Sequence, residues 1–317
     1  WIDAESRKGL AAVGLINSQV TAVESDVRIE AEGKVGALVG LLTLGAEEPA
    51  SIEAGDDIRI NVESSRGFSV FAAGTVPPEL LGLLGGVGFA GDQLGIGGEG
   101  AEGTVSTEST EGGEGAEGEE GDGGYGLDSL LNGAEPKTGL TAGDDIKIDV
   151  YGKEGAAALG LNIAFDAGDD FELDVESKSG LAIAAFLNAS TTAQDSVWID
   201  AESRKGLAAV GLINSYVTAA GAEFGDASVS IGASTKFGDA WVWVTDSDII
   251  ATADRSSDVS IEAWAWMGDA RVFVDDTDVI ARAGRWSDVS IEASAWLGDA
   301  KVSVDDTDVI AKAGLWS

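Results

Sequence analysis

The chain has 317 residues, 56 acidic against 19 basic, a formal net charge of −37, and neither Cys nor His. Disulfide staples, thiolate chemistry, imidazole catalysis and the usual zinc sites are therefore excluded, and a nucleic-acid backbone or an anionic membrane surface would be repelled. No run of eighteen apolar residues occurs and no charged leader follows Trp1, so neither a membrane span nor a signal peptide is visible.

The first segment, WIDAESRKGLAAVGLINSQVTA from Trp1 to Ala22, returns at Trp198 to Ala219 with one difference, Gln19 against Tyr216. A shorter signature recurs along the chain: an apolar residue, any residue, a second apolar residue, a polar one, then Ala or Val. Its centres are Ile2, Ile29, Ile60, Ile148, Leu173, Ile199, Ile231, Ile261 and Ile291, spaced by 25 to 32 residues except for one gap of 88. Flanking pairs such as Val27 with Ile29, Ile58 with Ile60 and Phe171 with Leu173 have the period-two spacing of a strand with one buried face. A unit of this size cannot bury its own apolar face and stacks on its neighbours. The fold class read from this pattern is all-β, a parallel β-solenoid of about nine coils. Equivalent residues then lie about 4.8 Å apart, which makes a rod roughly 40 Å long with the Ile ladder inside. Outward residues fall into files, Arg28, Arg59, Lys147, Glu172, Trp198 in one and Glu30, Asn61, Asp149, Asp174, Asp200 in the next, and ion pairs between files are expected.

The second segment of each coil changes character along the chain. Coils one to six carry runs such as GLAAVGLI, GALVGLL and GLAIAAFL, apolar on both faces, whereas coils seven to nine carry AWVWVTD, ARVFVDD and AKVSVDD, which alternate. The Gly-rich runs read as strands rather than helices, since each Gly costs a helix about 1 kcal/mol. A strand apolar on both faces is covered on both faces, so something is expected to pack on this side.

An insertion from Pro77 to Ala142 fills the long gap. Its middle, GGEGAEGTVSTESTEGGEGAEGEEGDGG, is acidic and Gly-rich and reads as flexible, while its borders PELLGLLGGVGF and YGLDSLLNG are apolar. The expected division is coils one to three in 1–76, the insertion in 77–142 and coils four to nine in 143–317. The last two coils, DVSIEAWAWMGDARVFVDDTDVIARAGRWS and DVSIEASAWLGDAKVSVDDTDVIAKAGLWS, are near copies of each other, each reading as strand, turn, strand, turn, short strand.

Two motifs bear on chemistry. Gly-Asp-Asp at 55–57, 143–145 and 168–170, and Asp-Asp-Thr-Asp at 275–278 and 305–308, concentrate carboxylates at stacked corners. Oxygen ligands of this kind suit calcium, which makes Asp275, Asp276, Asp278, Asp305, Asp306 and Asp308 the candidate metal ligands, and calcium the one cofactor considered. An enzyme reading casts Asp275, Asp276, Asp305 and Asp306 as a glycosidase or lyase pair, but repeat-equivalent carboxylates share one environment and a catalytic pair needs two. No catalytic residue is therefore assigned. Aromatic residues also recur in register, Trp266 with Trp296, Trp286 with Trp316 and Trp243 with Phe273, in positions suited to stacking or to sugar rings.

Units such as SDVSIEA, AGDDIKIDV and GDAKVSVDDTDVIAKAG resemble the repeats of large secreted bacterial exoproteins of the filamentous-haemagglutinin type. That resemblance implies a right-handed parallel β-helix, an extracellular or cell-surface location and an adhesive or fibre-forming role. The expected partners are further copies of the chain, end to end and laterally, with a polysaccharide or cell-surface receptor as a further possibility. Both chain boundaries cut a repeat and neither carries a polar cap, which is the basis of the end-to-end expectation. The alternative function is a carbohydrate-active β-helix.

Overall fold

The computed structural model describes residues 1–44, 49–76, 138–221 and 225–313. Three parallel sheets of nine strands each wind through these residues, with no helix among them. The first sheet runs β1 (Ile2–Ser6), β4 (Val27–Gly33), β7 (Ile58–Ser64), β10 (Ile146–Gly152), β13 (Asp170–Ser177), β16 (Ser196–Lys205), β19 (Asp226–Phe237), β22 (Ser256–Met267) and β25 (Trp286–Leu297). The second runs β2 (Leu10–Ile16), β5 (Gly36–Leu44), β8 (Phe68–Val76), β11 (Gly155–Leu161), β14 (Leu181–Leu187), β17 (Ala208–Ile213), β20 (Ala240–Thr245), β23 (Ala270–Asp275) and β26 (Ala300–Asp305). The third runs β3 (Gln19–Ala22), β6 (Ser51–Ala54), β9 (Thr138–Ala142), β12 (Ile163–Ala167), β15 (Ser190–Ala193), β18 (Tyr216–Ala220), β21 (Asp248–Ala253), β24 (Asp278–Ala283) and β27 (Asp308–Ala313). Each coil contributes one strand to each sheet, so the parallel β-solenoid holds in every turn.

The signature residues set the register. Ile2 pairs with Ile29, Ile29 with Ile60, Ile60 with Ile148, Ile148 with Leu173, Leu173 with Ile199, Ile199 with Ile231, Ile231 with Ile261 and Ile261 with Ile291. From Ile29 to Ile261 all are fully buried, and the two terminal members are partly so. A slip of one residue would turn the whole ladder outward, so its burial pins the stacking. Large rings fill the middle coils, where Phe165 lies 4.9 Å from Phe171 and 5.8 Å from Phe186, the second pair edge to face.

One boundary differs from the expectation. TGLTA at 138–142, read as the end of the insertion, forms β9 and pairs with β6 and β12, so it is the third strand of coil three. Five residues with a single large apolar side chain, Leu140, carry too little alternation to declare a strand. The remainder of the insertion, 77–137, lies outside the described residues, as does Trp316.

Candidate functional site

The six candidate aspartates fall into three parallel files at the corner between the second and third sheets. Asp275 and Asp305 end their strands in register with each other and with Thr245. Asp276 and Asp306 occupy the turn with φ of 45° and 39°, and Asp278 and Asp308 open the next strands in register with Asp248. Among the described residues no group of three or more His, Cys, Asp or Glu side chains is placed so as to hold a metal ion.

What the corner does is conformational. Asn17, Asn162, Asn188 and Asn214 hold the position of Asp276 in other coils, all with φ between 46° and 52°. Most side chains pay to enter this left-handed region, whereas Asn and Asp tolerate it. The amides then stack: Asn188 Nδ2 donates to Asn162 Oδ1 at 2.5 Å, and Asn214 Nδ2 donates to Asn188 Oδ1 at 3.4 Å. The following hydroxyls accept amide protons from the coil before, Ser215 N–H reaching Ser247 Oγ at 3.0 Å and Ser247 N–H reaching Thr277 Oγ1 at 3.4 Å. These hydroxyls also donate to a carbonyl two residues back, as Thr277 does to Asp275 O at 2.8 Å. Apolar periodicity does not announce this Asn/Asp–Ser/Thr corner, whose sequence signal is an Asn or Asp at the same place in coil after coil.

A second ladder runs along the Gly-Asp-Asp corner. Asp145 N–H donates to Asp57 Oδ1 at 3.3 Å, Asp170 N–H to Asp145 Oδ1 at 3.2 Å, and Ser196 N–H to Asp170 Oδ1 at 3.0 Å. Each carboxylate thus satisfies a turn amide of the next coil that would otherwise be left without a partner. Burial nevertheless raises Asp145 above the ordinary Asp range, with the amide of Asp170 pulling the other way.

The electrostatically unusual stretch is the outer face of the first sheet. Asp149, Asp174 and Asp200 stack on consecutive strands, flanked by Glu172, Glu176 and Glu202. Burial, followed by the neighbouring carboxylates, pushes Asp174 up to about 6 and Asp200 up to about 7. Asp200 leans over Gly232, its Oδ1 only 2.7 Å from where a Cβ there would sit. Below it, Asp149 is also raised by burial, against the pull of Lys147 3.8 Å away. Pairing between files is present as expected at Arg28–Glu30, 2.5 Å, while Lys147 also reaches along its own file to Glu172 at 2.8 Å.

The aromatic files pack along the coils. Trp266 and Trp296 stack with centroids 5.2 Å apart and planes 3° from parallel, so each covers a face of the other. Phe273 meets Trp243 edge to face at 5.6 Å, and the Arg271 guanidinium lies over Trp241 at 5.7 Å.

The second sheet presents the opposite chemistry from its neighbours. Its outward positions in coils one to six are Leu10, Ala12, Gly14 and Ile16, then Leu38, Gly40 and Leu42, and so on through Val70, Ala72, Ala157, Leu159, Ile183, Ala185, Leu187, Ala209, Gly211 and Ile213. No polar side chain interrupts them until Thr245, and nothing among the described residues covers them.

No family model matches the chain, and no curated protein or solved structure matches it at a significant level.

Proposed function

We propose that the chain is a structural or adhesive rod of the cell surface, part of a fibre, sheath or stalk. The observation that carries this reading is the unbroken register of all three sheets over nine strands, which spends every coil on a stem. A stem of this kind is stiff because each coil is bonded to the next along three sheets and anchored by the buried Ile ladder and the hydrogen-bonded Asn and Asp corners. Outward carboxylates such as Asp149, Asp174 and Asp200 give such a rod a charged exterior on the first sheet. Surface labelling tests the location. Antibody raised to the purified chain, applied to intact cells and imaged with gold, should label the outside before permeabilisation, and label that appears only after permeabilisation would overturn the reading.

A carbohydrate-active β-helix remains the second reading, favoured by one observation. Asp174 and Asp200 sit in adjacent coils with carboxyls raised to about 6 and about 7, so they hold protons in the range a general acid needs. Release of reducing ends from a panel of acidic and neutral polysaccharides, lost in Asp200→Asn, would establish it.

A further inference from the structure

Three glycines on the apolar face are not required by the solenoid. Glycine at a corner has a reason in this fold: at Gly238, φ is 148° and an added Cβ would collide with the Gly206 carbonyl. Gly14, Gly40 and Gly211 are different. They lie in mid-strand, none has a positive φ, and an added Cβ meets nothing within 4 Å among the described residues. Glycine in a strand interior forfeits stability and a side chain to pack, and where the fold does not demand it, it marks close approach by another backbone or ligand.

The three share one file. Register runs Gly14, Gly40, Ala72, Leu159, Ala185, Gly211, so five of six positions are Gly or Ala. The adjacent file, two residues on, reads Ile16, Leu42, Gly74, Leu161, Leu187, Ile213, a ridge of branched side chains broken once. A groove of small residues thus runs beside a ridge of large ones, and no charge lies in either file through these six coils.

We infer that this face packs against the same face of a second copy of the chain, ridge into groove. A two-fold axis running along the solenoid between the two files makes the contact reciprocal: Leu42 of one copy faces Gly40 of the other, Leu187 faces Ala185, Ile213 faces Gly211, and each pairing occurs twice. The extent of the face fits such a contact. Six strands about 4.8 Å apart and seven residues of about 3.3 Å each give on the order of 700 Å² per copy, close to the roughly 800 Å² a partner contributes to a standard interface. Sheets packed face to face approach to about 10 Å, a separation that small residues in the groove permit. Charge chooses the face as well, since the first sheet's stacked carboxylates would repel a second copy and the second sheet carries none in these coils.

This inference rests on the reading of the chain as a structural rod, but the test separates the two. Gly40→Val with Gly211→Val places side chains in space that no described residue occupies, so the solenoid is retained while the groove is filled. Sedimentation velocity of the full chain should show a dimer, and the double variant should weaken it by about a hundredfold in Kd with far-UV circular dichroism and melting of the monomer preserved. A parent chain that stays monomeric at high micromolar concentration, or a variant that pairs as the parent does, overturns the inference. A parent that pairs only after residues 78–133 are deleted also overturns it, because the face is then covered within one chain. Scattering from the monomeric variant reads the rod directly, so loss of pairing with the rod dimensions kept leaves the structural reading standing.

Discussion

Asp200 illustrates how a single side chain sets the pH response of the stem. Its carboxyl is raised from 3.8 to about 7, so between those values the folded chain binds a proton that the unfolded chain has released. Stability from this group is therefore fully present below about pH 4, is lost as pH rises from there through about 7, and is flat above. A shift of about three units corresponds to roughly 4 kcal/mol, which screening of a partly exposed carboxylate reduces to on the order of 1–2 kcal/mol. Asp200→Asn should accordingly raise the melting temperature at pH 8 and leave it unchanged at pH 4; an equal effect at both values would remove the charge argument. Asn188 carries a conformational prediction. Asn188→Ala loses both a left-handed preference and a ladder amide and should destabilise by about 2 kcal/mol, whereas Asn188→Gly should recover about half of that, as read by thermal melts. Neither residue's role was legible beforehand. Asp200 stands in the expected outward file, but its raised carboxyl depends on burial, and then on Asp174 and Glu202 beside it, which a sequence does not display.

At the scale of the strand and the coil, the sequence was most informative where the period was two and the apolar residue large. The nine signature residues were placed in one register, and that register is the one the strands adopt, because burying Ile at every coil leaves no alternative that keeps the face apolar. β9 escapes the pattern because Leu140 stands alone among Thr, Gly and Ala, and the corner Asn residues escape it because backbone handedness leaves only a faint mark in composition. Ile261→Asp should be severely destabilising, by more than about 4 kcal/mol, through an unpaired charge in a fully buried position; a variant that melts like the parent would contradict the ladder. The coil is also the unit of deletion. Ser257 pairs with Ser287 and Asp258 with Asp288, so removing 258–287 joins Ser257 to Asp288 without breaking register. The shortened chain should fold with the same circular dichroism per residue and melt within a few degrees of the parent, as expected for nearest-neighbour stability; an unfolded product would show that the coils are not interchangeable.

The whole molecule divides its labour among three faces. The first sheet carries stacked acid and ion pairs, the third carries mixed polar files beside the Asn and Asp corner, and the second carries an apolar surface on which Gly14, Gly40 and Gly211 meet no described neighbour. Sequence alone showed that the second segment was apolar on both faces; it could not show which glycines were idle, since that depends on the space around each one. The most direct measurement is diffraction from oriented native material, combined with its electron micrograph. A fibre of solenoids stacked along its axis and paired across the second sheet should appear as filaments with a meridional reflection at about 4.8 Å, the spacing between coils. Dispersed single molecules, with no filament and no such reflection, would contradict the account.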